Sequence, residues 1–320
     1  MKKVLAIGVS VLITLVLSWL LLRSVPFSAL RDALDSVSLI AVLVGFVMAV
    51  LISVFRGMRY WLLLRGAGSL DKLTSIVCVH NLLINVMPVR TGELGFPYFA
   101  RKIGIPAGTS VGALIVGRLF DLFALVTLLF VGAVFVPGSA LFAQAKLSAL
   151  VVTGIVLLLL ILTVLFRHAA HRVVHAFANK PRISQHNVGV WLVQKVEEVL
   201  HGLDVLKSPF AVLGAYGCSV LNWLAQAVIT LLMLQAVGIE FSFAQVLLAM
   251  TLANLVSAVP INGFAGFGTV EAIWAGVLVA MGVPLIAGVS AGLLIHVANL
   301  GYTAVLGLYG SIRLAQYKKV

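Results

Sequence analysis

The sequence predicts an all-α fold, a polytopic helical membrane protein with two inverted repeats, each of three spans plus one re-entrant broken-helix segment. Three observations lead there. Of 320 residues, 62% are hydrophobic and 10% charged, against about 25% charged in soluble domains. Apolar runs of about 20 residues, the length that crosses a bilayer as a helix, recur along the chain. Two short polar patterns also recur at one fixed offset, with the same order of elements around them.

The runs cover residues 4–22, 39–55, 110–136, 147–166, 210–237 and 285–312. They are too continuous for the alternating strands of a barrel, and a helix satisfies its own backbone in lipid. Met1-Lys2-Lys3 before the first run resembles a secretory signal. The run is longer than a signal core, and Arg23-Ser24-Val25-Pro26 offers no small-residue cleavage site, so an uncleaved first span is expected. Segments 73–104 and 243–282 are apolar too, but carry Pro, Gly and Asn in their middles. That suits a broken helix pair entering and leaving on one side. In the loop 167–208, apolar residues of 191–207 fall near one helical face, which predicts an amphipathic helix on the membrane surface. No room remains for a soluble catalytic domain.

A net charge of +12 could point to nucleic acid, but no basic, polar domain exists to bind it. Basic loops facing anionic headgroups account for the charge instead. With the N-terminus inside, all but five of the 22 Lys and Arg fall on the N-terminal side. Arg23, Arg31 and Lys146 face the other way, and Arg90 and Arg118 lie in membrane-associated stretches. The sorting counts Arg56 and Arg59 as loop residues. It places both termini in the cytoplasm and the chain in the cell membrane. Cys78 and Cys218 sit in apolar stretches and suggest neither a disulfide nor a metal site.

Thr91-Gly92-Glu93 matches Thr269-Val270-Glu271, and Gly104-Ile105-Pro106 matches Gly282-Val283-Pro284, both at an offset of 178 residues. A two-residue insertion then aligns Ser110-Val111-Gly112 with Ser290-Ala291-Gly292. The repeats divide as 1–146 and 147–320, the second containing the loop 167–208. Three crossings per half invert the second repeat relative to the first, an arrangement of transporters with a site near the midplane. Glu93 then approaches from the cytoplasm and Glu271 from outside.

A charge at the centre of a membrane helix costs about 2.5–3.5 kcal/mol. Arg90, Glu93, Arg118, Asp121 and Glu271 therefore each need a partner or a purpose. Arg118 and Asp121, three apart on one helix, form either a self-satisfied ion pair or a headgroup site with Asp121 orienting the arginine. Arg90 and Glu93 follow the helix-breaking Pro88. They read either as a phosphate-binding fork and its acid or as a snorkelling arginine beside a capping acid. The glycine-rich turn before Glu271, with Gly268 and Thr269 at its end, could aim N–H groups at an anion or serve close packing. His80, Asn81, Asn85, Asn254, Asn262, His296 and Asn299 read as cross-helix hydrogen-bonding groups, with His80 or His296 as a proton relay in a lesser reading. His168, His171 and His175 read as a surface face rather than a metal site. With no hydrolase triad, nucleotide-binding glycine loop or paired-histidine zinc motif, neither enzymatic activity nor a cofactor is expected.

Together, Arg56-Gly57-Met58-Arg59-Tyr60-Trp61, Pro88-Val89-Arg90-Thr91-Gly92-Glu93, Gly117-Arg118-Leu119-Phe120-Asp121 and Gly266-Phe267-Gly268-Thr269-Val270-Glu271 resemble the lysylphosphatidylglycerol synthase transmembrane, or flippase-like, family. The resemblance spans nearly the whole chain. It implies a membrane domain that moves anionic lipids or polyprenyl-phosphate-linked intermediates between leaflets. The aminoacyl transferase domain of the synthases is expected to be absent, since the chain stops soon after Ile312. Gly117 departs from the pattern, where many relatives carry Glu before the arginine. The expected function is thus translocation, with membrane lipids of anionic or polyprenyl-phosphate headgroup as partners. A homo-oligomer or a cell-envelope enzyme is a further candidate partner. The alternatives are a non-transporting scaffold for such an enzyme and an ion-coupled carrier of a small anion.

Overall fold

A computed structural model of the chain describes residues 27–136, 208–257 and 264–317, together with Val151, Gly154, Leu158, Glu197 and Glu198. The expected span 4–22, nearly all of 147–166, and most of the loop 167–208 with its amphipathic helix lie outside the described residues. All regular structure among the described residues is helical. In order, it comprises α1 (Phe27–Asp35), α2 (Leu39–Leu63), α3 (Leu70–Val86), a 3-10 turn (Pro88–Leu94), α4 (Gly95–Lys102) and α5 (Ala107–Phe135). Then follow α6 (Pro209–Ala236), α7 (Phe243–Val256), a second 3-10 turn (Phe264–Gly266), α8 (Thr269–Ala280) and α9 (Leu285–Gln316). Among the described residues, α2, α5, α6 and α9 are long and apolar enough to cross a membrane.

Local chemistry sets the helix ends. Ser38 and Ser208 cap α2 and α6 by accepting the N–H of Ala41 and Ala211, and Ser242 with Gln245 forms a capping box on α7. Both segments expected to break do so, α3 at Pro88 and α7 before the turn at Phe264. The joints that follow are near copies. Gly104 (φ +89°) and Gly282 (φ +90°) take the left-handed conformation, which favours glycine. The next N–H reaches back into the finished helix, Ile105 to Ala100 O at 3.1 Å and Val283 to Leu278 O at 3.0 Å. Pro106 and Pro284 then open α5 and α9.

Two sequence expectations need correction. The span 39–55 continues to Leu63 and takes Arg56 and Arg59 inside the helix, because groups on α3, α5 and α6 receive both guanidinium groups. They leave the cytoplasmic tally without changing its sign. The insertion expected near residue 110 is also absent, since α5 starts at Ala107 and α9 at Leu285, which keeps the offset unchanged. Runs of small residues on close-packed helices match by chance in more than one register.

Helices α2 and α6 pack together, α9 packs on α3 and α8, and α5 packs on α7 and α4. Gly310 lets α9 approach α3, since a Cβ there would meet Ser75 O at 2.5 Å and Cys78 Cβ at 2.9 Å. Gly310→Ala should therefore lower stability by about 1–3 kcal/mol, the usual cost of overpacking. The midpoint of thermal unfolding in detergent reads this, and an unchanged midpoint would contradict the α3–α9 contact. Glu198, in the expected amphipathic segment, accepts the Gly108 N–H at 3.0 Å. A carboxylate there complements the positive end of α5.

Candidate functional site

The charges admitted to the apolar interior gather where α2, α3, α5 and α6 meet. Arg56 and Arg59, three apart on α2, share a helix face. Arg59 is 1% exposed. Its Nη1 donates to Asp121 Oδ1 on α5 and to Ser219 Oγ on α6, the latter at 2.8 Å. Gly117, one turn before Asp121, makes this approach feasible. A Cβ there would lie 3.2 Å from the Tyr60 ring and 3.5 Å from Arg59 Nε. The glycine that departs from the family pattern thus has a local packing reason.

The sequence pairs Arg118 with Asp121. The structure keeps that contact at 3.7 Å but gives each group a nearer partner. Asp121 binds Arg59, and Arg118 Nη2 donates to Glu93 Oε1 at 2.5 Å. Side chains three apart on one helix are held at fixed spacing, whereas groups arriving from α2 and from the break can reach each directly. Glu93 sits in the 3-10 turn after Pro88, which folds back on α3. A Cβ at Gly92 would collide with the Leu83 backbone. The fold-back brings Glu93 Oε2 within 3.6 Å of His80 Nε2. Arg90 belongs to the same turn, but its side chain lies outside the described residues.

Arg56 is a site residue the sequence reading did not single out. Its Nε donates to Asn222 Oδ1 at 3.0 Å and its Nη1 to Asn81 Oδ1 at 2.7 Å. Both partners are neutral amides, and it forms no ion pair with a carboxylate among the described residues. The described cluster therefore sets Arg56, Arg59 and Arg118 against Glu93 and Asp121, an excess of one positive charge. Sequence alone hides this because two arginines closing an apolar run look interfacial. Their spacing of three within a run that stays apolar to Leu64 is the signal that could have found them.

Most of this cluster lines a cavity of about 590 Å³. Arg56, Glu93, Arg118 and Asp121 line it, with Asn81 and Asn85 beside them. The walls include Ile52, Leu125, Ile229 and Trp274. Trp223 also lines it, and its buried indole N–H has no partner among the described residues. Gln226, Gly266, His296 and Asn299 line it as well.

A second polar cluster adjoins that region. Glu271, 4% exposed, accepts the Gly268 N–H on Oε2 at 2.8 Å, and its Oε1 lies 2.7 Å from His296 Nδ1. Thr269 Oγ1 donates to Gly266 O at 2.8 Å. The Gly268 N–H and the Thr269 hydroxyl are thus engaged inside the turn. His296 is the partner that sequence reasoning missed. The Glu93–Arg118 and Glu271–His296 pairs each span 25 residues, so the repeat offset carries one onto the other. It also carries Asp121 onto Asn299, which accepts from Gln226 at 3.2 Å.

Long apolar helices around a charged, partly apolar cavity define a multi-pass membrane protein with an internal polar site. The lysylphosphatidylglycerol synthase TM region matches residues 5–307, and the chain belongs to that family. No curated protein matches it.

Proposed function

We propose that the chain moves a phosphate-bearing lipid, either an anionic phospholipid or a polyprenyl-phosphate-linked intermediate, between membrane leaflets without covalent chemistry. The excess of one positive charge in the described cluster, at an apolar-walled cavity, carries this reading. A buried net charge is costly in lipid, and an anionic headgroup would neutralise it while its chains lie along apolar surface. Arg56 and Arg118 are the headgroup ligands, because guanidinium forks match phosphate. Glu93, Asp121 and the neighbouring amides hold them in place.

The matched breaks, the duplicated Gly–Pro joints and the crosswise packing of α3 on α9 and α7 on α5 support two inverted repeats with re-entrant segments. In such folds one unit rocks against the other around a central site. The basic residues outside the spans support cytoplasmic termini.

The test is a leaflet-resolved assay in liposomes carrying a fluorescent phosphatidylglycerol or a polyprenyl phosphate. Arg118→Ala should slow movement about tenfold to a hundredfold, the worth of a charged hydrogen bond of about 1.5–3 kcal/mol. Wild-type rates in that variant would refute the site.

A further inference from the structure

The two halves place different chemistry at equivalent positions. In the first, Glu93 meets Arg118, a cation that does not titrate in proteins. In the second, Glu271 meets His296, the side chain whose charge changes near neutral pH. The repeat has replaced a fixed ion pair by a titratable one.

The hydrogen bonds around His296 define its proton count. Its Nε2 lies 2.9 Å from the Ala265 carbonyl oxygen, an obligate acceptor, so Nε2 carries a hydrogen. Its Nδ1 lies 2.7 Å from Glu271 Oε1, and a contact of that length between two lone-pair atoms needs one further proton. That proton is shared by the dyad, as imidazolium with carboxylate or as imidazole with carboxylic acid. Its loss leaves two acceptors facing each other and one uncompensated negative charge.

The surroundings are built to hold this arrangement. Ala265 adopts φ +51° and ψ +20°, a left-handed conformation that costs a non-glycine residue energy and tends to occur where function demands it. That turn aims its carbonyl at the imidazole. Gly266 and Gly268, both at positive φ, complete the turn. The Phe267 ring packs on the imidazole, with centroids 4.7 Å apart. His296 nevertheless lines the same cavity as the arginine cluster, which gives a proton an approach.

Among the described residues, few other charges bear on the dyad. Helix α7 carries no titratable side chain, α8 none besides Glu271, and α6 presents the neutral Gln226 to Asn299. From α2, Arg56 lines the cavity, while Arg59 is buried against Asp121. His80 on α3 faces Glu93. Arg118 and Asp121 of α5 line the same cavity with Glu93. On α1, Arg31 pairs with Asp35, and on α9 Arg313 pairs with Asp71 of α3.

We propose that the Glu271–His296 dyad is a proton-binding site, filled and emptied during the transport cycle, so that a proton gradient drives movement of the lipid. Its coupling role rests on the translocase reading, whereas proton binding rests on the dyad alone. With the proton bound the dyad is neutral, and with the proton lost its negative charge repels an anionic headgroup held in the same cavity. The lipid and the proton therefore favour each other's binding.

Two measurements test this separately. In 15N NMR of histidine-labelled protein in micelles, the His296 signal, assigned by its loss in His296→Gln, should show Nε2 protonated and Nδ1 in a hydrogen bond that shares one proton with Glu271. It should change between acid and alkaline pH as the shared proton leaves. A His296 signal unchanged from acid to alkaline pH until unfolding would overturn the site. In liposomes with fluorescent phosphatidylglycerol or polyprenyl phosphate, an imposed pH gradient should change the wild-type rate of lipid movement. In His296→Arg, which installs the fixed cation of the first half, the ratio of rates with and without the gradient should fall to one. A retained gradient response in that variant, or a wild type that moves lipid with no response, overturns the coupling and leaves the translocase standing. A wild type that moves neither lipid overturns the translocase reading and the coupling with it, and the NMR titration alone then decides the proton site.

Discussion

Asp121→Leu should destabilise the protein by about 3–5 kcal/mol, the cost of breaking a buried ion pair from one side. Asp121 is the carboxylate that Arg59 Nη1 reaches, and Nη1 also donates to Ser219 Oγ. Without the carboxylate, a 1% exposed cation keeps the Ser219 hydroxyl and the Tyr60 ring, 5.1 Å from its guanidinium carbon, but loses its ion-pair partner. The three arginines would then face only Glu93, so the excess positive charge doubles. The double variant Arg59→Met with Asp121→Leu removes both charges and fills the space with apolar groups. Such replacements elsewhere are neutral or stabilising, so it should recover most of the loss. Chemical denaturation in micelles, with thermal midpoints followed by size exclusion, reads both. A single variant as stable as the wild type would show that the Arg59–Asp121 pair does not hold the α2–α5 contact.

The helices were legible because lipid leaves the backbone few options, and Pro88 and the glycines before Thr269 marked the breaks for the same reason. Partners that cross between helices were less so. Arg118 and Asp121 invited pairing because they are neighbours in sequence, whereas Arg59 and Asp121 are 62 residues apart. A run that ended at Phe55 by hydropathy continues as helix to Leu63, since a paired arginine is tolerated where a bare one is not. His296 was within reach, because carrying the Glu93-to-Glu271 offset along α5 leads from Arg118 directly to it. Small residues near Ser110 and Ser290 obscured that register by matching equally well two positions away. The turn at Gly268 shows the limit of reading a motif alone. A glycine-rich helix start can bind an anion, but here the anion that takes the Gly268 N–H is the chain's own Glu271.

Arg56→Gln should do the opposite of Asp121→Leu, preserving the fold while removing function. It lowers the described cluster to two arginines against two carboxylates, which pair as Arg59–Asp121 and Arg118–Glu93. Stability should stay level or rise, because no carboxylate loses an ion-pair partner and a buried charge disappears. Headgroup binding should fall, because the unmatched charge that calls for an anion is gone. Arg56→Lys separates charge from shape. A guanidinium has five N–H donors, and here Asn222 and Asn81 take one each, leaving three for a phosphate in a planar fork. An ammonium keeps the charge but presents a compact point with other geometry. If the fork matters, Lys should weaken binding about tenfold or more, consistent with about 1.5–3 kcal/mol for a hydrogen bond to a charged group, and Gln should weaken it further. Affinity for phosphatidylglycerol or polyprenyl phosphate in nanodiscs, measured beside leaflet-resolved transport, gives the order wild type, Lys, Gln. If Gln transports at the wild-type rate, Arg56 is only a structural cation held by two amides, and the excess charge has no part in recognising the lipid.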